Sequence, residues 1–205
     1  MITMYLVRHG QTEENLQRIF QGHLPGVLTE EGRRQAVALG ALLADLPLDA
    51  VVSSDLQRVV DTVCLAFTGD ENRLDAGNES SLGLRRNDVL TLADGSGIPW
   101  ERTTLLREID WGSWTGLKIA SVDRACIPAD AESKEMLYER AGRFVEYLRQ
   151  HYEDKTVLVV AHGLVNRSIQ AQIEGVSVEH LQDVPHMQNA EVRRFVLCTK
   201  KFNLK

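Results

Sequence analysis

The sequence predicts an α/β protein: a single three-layer α/β/α domain whose mostly parallel central sheet carries helices on both faces. Three observations predict it. Strand-like and helix-like segments alternate along the chain, the order produced by parallel strands joined through crossover helices. The run Val157-Leu158-Val159-Val160-Ala161 is apolar without interruption, as befits a strand covered on both sides. Two apolar runs also end alike: Met4-Tyr5-Leu6-Val7 closes in Arg8-His9-Gly10, and Val157–Ala161 closes in His162-Gly163. Chemistry-bearing residues at strand ends suit such a sheet, because open α/β sheets bind ligands at the carboxyl ends of their strands.

Each element follows from local chemistry. A first strand spans 2–8. Residues 10–28 contain Gly10, Gly22, Pro25 and Gly26 and have the makings of a long functional loop. Thr29-Glu30-Glu31 then opens a helix, with a capping hydroxyl followed by acids in the first turn, where the helix dipole favours negative charge. Val37, Leu39, Leu42, Leu43 and Leu46 form its apolar side, and Pro47 ends it. Ala50-Val51-Val52-Ser53 is a short buried strand, and Ser54-Asp55 starts a second helix with Arg58 in its first turn. Residues 68–99 hold many turn formers and little periodicity, which predicts an irregular insertion with room for one short helix. Thr103-Thr104-Leu105-Leu106 leads, as an apparent strand end, into the segment Arg107–Gly116. Helical spacing of Met136, Leu137, Ala141, Phe144, Val145 and Leu148 predicts a helix over 132–151. A strand at 156–161, a helix at 164–174 and a strand at 192–198 complete the order. With no internal repeat and no sign of a second core, the expected domain is 1–205.

Bulk properties narrow the function. A chain of 205 residues can bury a full core. A formal net charge of -6 and a pI near 5.5 argue against nucleic acid as a partner, and the basic pairs Arg33-Arg34, Arg85-Arg86, Arg193-Arg194 and Lys200-Lys201 are scattered. Cys64, Cys126 and Cys198 lie too far apart for a C-x-x-C pair, which fits reduced thiols in a cytoplasmic protein. No segment approaches a membrane span and none has the makings of a targeting signal. His23, His180 and His186 lack metal-ligand spacing, so neither metal nor cofactor is expected. Nothing in the sequence speaks to oligomeric state.

The candidate chemistry lies in a few residues. His9 and His162 stand at strand ends, Arg8 at the first of these, and Arg58 at a helix N-terminus. Helix N-terminal amides and a guanidinium both favour an anion. Two arginines and two histidines match the equatorial oxygens of a phosphoryl group, with one imidazole left over as a nucleophile. Glu108, just past Leu105-Leu106, can supply the proton that an alkoxide leaving group needs.

These residues sit in longer blocks: Leu6-Val7-Arg8-His9-Gly10-Gln11-Thr12 with Asn15, then Gln21-Gly22, and Leu28-Thr29-Glu30-Glu31-Gly32 with Gln35-Ala36. Further on come Ser53-Ser54-Asp55-Leu56-Gln57-Arg58 with Thr62, Leu106-Arg107-Glu108 with Gly112 and Gly116, Glu132-Ser133 with Arg140, and Ala161-His162-Gly163. In these blocks, from residue 5 to 163, the chain resembles the phosphatase branch of the histidine phosphatase superfamily, also called the phosphoglycerate mutase-like family. The resemblance implies a phosphoglycerate mutase-like fold, with His9 as a nucleophile that becomes phosphohistidine and Arg8, Arg58 and His162 as the phosphate pocket. It also implies Glu108 as general acid and base, and Asn15, Gln21, Gly22 and Gly163 in contact with phosphate or the substrate beyond it. The implied activity is metal-independent, cofactor-free hydrolysis of a small phosphorylated metabolite. α-Ribazole phosphate, sugar phosphates, nucleotides and protein phosphohistidine all suit such a site.

Physical chemistry sets conditions on these roles. His9 attacks only when neutral, so its second ring nitrogen should donate to a backbone carbonyl, and the two arginines should help keep it unprotonated. Some features depart from the family pattern. Pro25-Gly26-Val27-Leu28-Thr29 replaces the usual Asp-x-Pro-Leu-Thr, and Leu164 stands where mutases have a polar substrate contact. The stretch from Gly116 to Glu132 is short, while that from Thr62 to Leu106 is long. These lengths point away from a phosphoglycerate mutase, which needs a lid over its phosphoenzyme. A mutase and a non-catalytic phosphoester- or phosphoprotein-binding module remain the alternatives. Trp111 and Trp114 suit either the core or a substrate platform, and Arg85-Arg86 either a solvated loop or a clamp on a distal anion.

Overall fold

The computed structural model describes residues 1–69, 87–91 and 96–198. Its strands are β1 (Ile2–Arg8), β2 (Ala50–Ser54), β3 (Asn87–Thr91), β4 (Gly97–Thr103), β5 (Thr156–Ala161) and β6 (Val192–Leu197). Its α-helices are α1 (Glu13–Leu16), α2 (Glu30–Leu43), α3 (Gln57–Thr68), α4 (Lys134–His151) and α5 (Gly163–Glu174). The strands form one sheet in the order β3-β4-β2-β5-β1-β6. The four inner strands run parallel, and the edge strands β3 and β6 are antiparallel to their neighbours.

Alternation along the strands explains the layering, since successive side chains point to opposite faces. Met4 and Leu6 of β1, Val52 of β2, and Val157 and Val159 of β5 face α4 and α5, which contribute Leu137, Phe144, Leu148, Val165 and Ile169. Val7, Val51, Leu158 and Val160 face the other way, against Leu39 and Leu43 of α2 and Val59 and Val63 of α3. Both sets are buried, so β5 is apolar at every position from Val157 to Ala161. This is the expected α/β/α arrangement. Thr29 accepts from the Gly32 amide to start α2 where the sequence suggested, and Ser133 accepts from the Met136 amide to start α4 at Lys134, two residues after the expected 132.

Four local expectations need correction. Residues 87–91 and 97–99, expected to be irregular, belong to β3 and β4. Gly97 and Pro99 obscured the second of these. Pro99 faces Val89 of β3 and precedes Trp100, where pairing with β2 begins, so its missing N–H interrupts no bond to that neighbour. Helix α3 begins at Gln57 rather than at Ser54-Asp55; Ser54 completes β2, and Leu56 precedes the helix without a side-chain cap. The 10–28 loop contains the single-turn helix α1, closed by reciprocal bonds between Thr12 and Asn15. Glu108 does not end a strand, because a 3-10 turn at Thr104–Leu106 separates it from β4. The short helix expected in the insertion and the Arg85-Arg86 pair lie outside the described residues. Among the described residues, no helix is long and apolar enough to cross a membrane.

Candidate active site

Strand order brings the two His-Gly segments together. β5 lies between β2 and β1, and its register pairs Arg8 with Ala161. His9 and His162 are therefore the first residues beyond two neighbouring parallel strands. The His9 amide donates to the Ala161 carbonyl at 3.0 Å, and the two imidazole centroids lie 5.1 Å apart.

His9 is buried, and its Nδ1 donates to the Gly10 carbonyl at 2.7 Å. A carbonyl only accepts, so this bond places the ring proton on Nδ1 and leaves the Nε2 lone pair free. The tautomer expected of an attacking imidazole is the one present. Gly10 is required by contact: a Cβ there would stand 2.5 Å from the Gly32 carbonyl oxygen at the start of α2. The Gly10 amide donates to the Thr62 hydroxyl at 3.1 Å, which ties the turn to α3. Burial first, then Arg58 and Arg8, hold the His9 imidazole well below its ordinary pKa.

His162 is equally buried but both its ring nitrogens are occupied. Arg58 Nε donates to Nδ1 at 3.1 Å, and Nε2 lies 2.8 Å from the Ser54 hydroxyl. A guanidinium cannot accept, so the proton resides on Nε2 and is donated to Ser54. Burial, followed by Arg58 and His9, lowers this imidazole as well. Arg58 also donates to the carbonyls of Gly22, at 2.9 Å, and Leu24. Its burial depresses the guanidinium to about 10. Arg8 donates from Nη1 to His186 Nε2 at 3.1 Å and to the Met187 carbonyl at 2.9 Å, whereas its buried Nε has no partner. An unpaired buried guanidinium N–H is costly, and an anion entering beside the imidazoles would satisfy it.

Glu108 caps α5. Its carboxylate accepts from the amides of Leu164, at 3.1 Å, and Val165, at 3.2 Å, as well as from its neighbour Ile109. Its negative charge bears on both Arg8 and Arg58. Arg140 fixes the backbone there. It pairs with Glu132 at 2.7 Å and donates to the carbonyls of Leu105, Arg107 and Glu108. His23 Nε2 also donates to the Glu108 carbonyl, at 3.0 Å.

The remaining sequence-predicted residues differ in placement. Gly163 starts α5, and a Cβ there would stand 2.9 Å from His186 and 3.6 Å from the Arg8 guanidinium. Gly22 takes part through its carbonyl on Arg58. Gln21 is buried with an unpartnered Oε1, which lies 3.0 Å from the position a Gly26 Cβ would take, as does Arg58 Cδ. Asn15 is engaged elsewhere: its Oδ1 accepts from the Thr12 amide and from Asn189, and it makes no bond to either imidazole. Trp111 and Trp114 cluster with Phe20, at 4.6 and 5.3 Å between centroids, and pin the Phe20–Gly22 turn to the segment after Glu108.

Sequence reasoning placed Ser54 and Thr62 only in a family-like block, and gave them, His186 and Asn189 no role in the site. Ser53-Ser54 carried a usable signal, two hydroxyls ending an otherwise apolar strand. His186 and Asn189 had none, because they reach the site on the segment before β6. Asn189 donates to the His9 carbonyl at 3.0 Å, and Arg193 braces the segment through the carbonyls of Pro185 and His186. Among the described residues, no group of three His, Cys, Asp or Glu side chains is placed to hold a metal ion.

The family model for the histidine phosphatase superfamily (branch 1) matches residues 4–77 and 71–205. The chain belongs to this superfamily. It is 30% identical over 207 residues to glucosyl-3-phosphoglycerate phosphatase of Mycolicibacterium vanbaalenii, covering 91% of this chain and 80% of that protein. It is 30% identical over 165 residues to adenosylcobalamin/alpha-ribazole phosphatase of Salmonella typhimurium, covering 78% and 73%. The 2,3-bisphosphoglycerate-dependent phosphoglycerate mutase of Bartonella quintana is 29% identical, over 87% of this chain and 84% of that one. Among solved structures, Bacillus stearothermophilus YhfR superposes with a TM-score of 0.73 at 27% identity, covering 95% and 90%. A mycobacterial glucosyl-3-phosphoglycerate phosphatase complexed with VO3 gives 0.71 at 26%, covering 94% and 91%. The fold is thus the phosphoglycerate mutase-like one, and relatives of this superfamily include both phosphatases and mutases.

Proposed function

We propose that this chain, as one domain over 1–205, is a metal-independent phosphomonoesterase working through a phosphohistidine on His9. The observation that carries the reading is the free Nε2 of His9, fixed in its neutral tautomer beside the unpartnered Nε of Arg8. The lone pair of Nε2 attacks phosphorus and the bond to the alcohol oxygen breaks. Glu108, protonated, delivers its proton to that oxygen. Water then attacks phosphorus, its proton passes to the Glu108 carboxylate, the bond from phosphorus to His9 Nε2 breaks, and inorganic phosphate leaves. Arg8 and Arg58 supply the positive field that the transferring group needs. Gln21, Gly22 and Gly163 border the phosphate, and Asn15 acts on it only through Asn189 and the His9 backbone. Three unpaired cysteines suit a cytoplasmic setting, and the substrate is a small phosphorylated metabolite of the kind the phosphatase relatives are named for.

The test is brief incubation with a labelled phosphomonoester in EDTA, followed by acid or alkali. A phosphoramidate survives alkali and is lost in acid; label that survives acid would exclude the mechanism. Glu108→Ala is expected to slow alkyl phosphates far more than p-nitrophenyl phosphate, whose leaving group hardly needs a proton. Equal losses would take Glu108 out of the acid role. Isomerisation of 3-phosphoglycerate faster than its hydrolysis would place the chain with the mutases, and tight ester binding without turnover would make it a binding module.

A further inference from the structure

Arg8 is held from one side only. Its hydrogen bonds leave from Nη1, to His186 Nε2 at 3.1 Å and to the Met187 carbonyl at 2.9 Å. Nη1 carries two protons, so these two acceptors take both. In a planar guanidinium the Nε–H lies on the other edge, beside Nη2, and it is this buried Nε that has no partner. The bonds to Nη1 therefore fix the side chain without using the edge that an oxyanion would engage. A guanidinium cannot accept, so His186 must present a lone pair at Nε2 and carry its proton on Nδ1. The ring is neutral.

The fold makes room for this contact and secures it. A Cβ on Gly163, the first residue of α5, would stand 2.9 Å from His186 Cε1 and 3.6 Å from Arg8 Cζ, so glycine there lets the imidazole and the guanidinium meet. The segment that carries His186 is tied down at several points. Arg193 donates to the carbonyls of Pro185 and His186, both at 3.1 Å, and Asn189 donates to the His9 carbonyl at 3.0 Å. The Ala190 amide donates to the Arg8 carbonyl at 3.0 Å, with Ala190 in a left-handed conformation at φ 56°. A side chain bearing a Cβ holds that conformation only where its surroundings impose it. The charges facing the ring keep it an acceptor. Arg8 on β1, Arg167 on α5 and Arg193 on β6 oppose protonation, and Glu108 favours it. Partial burial first, then Arg8 and Arg167, hold the imidazole below its ordinary pKa.

We infer that His186 is a positioning residue for the anion site: as a neutral acceptor it holds the Arg8 guanidinium so that the Nε edge stays open to an entering oxyanion. The inference deepens the phosphatase reading and rests on it for turnover, though not for anion binding. Ordering a long, rotamer-rich side chain is a cost of binding, and here the free protein has met it beforehand. Without His186 the Met187 carbonyl would be the remaining acceptor at Nη1, and the guanidinium would have to be ordered by the ligand. That difference is worth up to about tenfold in affinity.

The test is calorimetric titration of the intact protein with sulfate, a dianion that phosphoryl transfer does not consume. His186→Leu fills the space against Gly163 but offers no acceptor, and is expected to bind sulfate about tenfold more weakly. His186→Gln keeps an acceptor oxygen and should restore most of the affinity. With p-nitrophenyl phosphate, His186→Leu should raise KM about tenfold and leave kcat within about threefold, as for an interaction made equally in ground and transition states. Sulfate affinity unchanged in His186→Leu, or equally weak in His186→Gln, would overturn the inference. Nitrogen NMR of histidine-labelled, unaltered protein at neutral pH gives a check free of any variant's folding: His186 Nε2 should be unprotonated, and a proton found there would be equally fatal. The expected sulfate affinities in a protein that hydrolyses no phosphomonoester would sink the phosphatase reading and leave the role of His186 standing.

Discussion

The ends of β1 and β5 are alike in sequence and unlike in chemistry. Each is an apolar parallel strand that closes in His-Gly, and both imidazoles are buried and held neutral. The difference lies in the partners. His9 makes one ring bond, to the carbonyl of the next residue, and keeps a free nitrogen. His162 makes two, to Arg58 and Ser54, and keeps none. A ring with a lone pair to spare can form a bond to phosphorus. A ring whose lone pair is already taken by a guanidinium serves as part of the wall. Burial and local motif do not separate nucleophile from binder here; hydrogen-bond partners do.

The sharpest way to break this comparison is to remove each imidazole in turn. His9→Ala is expected to abolish the acid-labile phosphoenzyme and to cut turnover on the order of 10⁴-fold or more. His162→Ala should slow transfer by about 10²–10³-fold, yet alkali-stable label should still map to His9. Label found on His162 would reverse the assignment. A smaller effect is expected of Ser54→Ala, which leaves the Nε2 proton of His162 without its acceptor at a cost of about 1 kcal/mol in stability and roughly tenfold in activity. A loss as large as that of His162→Ala would show that Ser54 acts in its own right.

The last effect is read in stability rather than in turnover. Both imidazoles are depressed in the folded protein, whereas the unfolded chain takes up their protons as the pH falls below about 6.5. The unfolded state then binds more protons, so stability is full above pH 6.5 and declines as the pH falls towards the folded values. The limiting slope is about 1.4 kcal/mol per pH unit for each histidine. Urea titrations from pH 7 to pH 5 should show this decline, and His162→Asn should flatten it by the share of one histidine. A slope that the variant leaves unchanged would mean that His162 is not buried neutral.

Much of the fold was legible because burial leaves periodic marks. The apolar runs of β5 and β1, the helical spacing in α4, and the hydroxyl cap at Thr29 are local signals with local causes. β4 escaped because Gly97 and Pro99 are turn formers wherever no neighbouring strand gives them another use. Of the five residues proposed for chemistry, Arg8, His9, Arg58 and His162 were visible as charged or titratable side chains at element ends, whereas the strand end expected before Glu108 is a 3-10 turn. What each one touches was not visible. The helix-capping position of Glu108, for instance, depends on amides of Leu164 and Val165 that lie some 56 positions further along the chain.

The sequence by itself determined the layers, the strand ends and the residue types that gather there, because side-chain period and capping are settled within a few residues. Only the tertiary structure decided which imidazole keeps a free nitrogen and that the buried Nε of Arg8 beside it keeps no partner. Those outcomes depend on β5 inserting between β2 and β1, which carries His162 to Arg58 and Ser54, 104 and 108 positions away. A hydrogen bond forms only where such distant groups meet within about 3 Å, and no stretch of chain encodes that meeting alone.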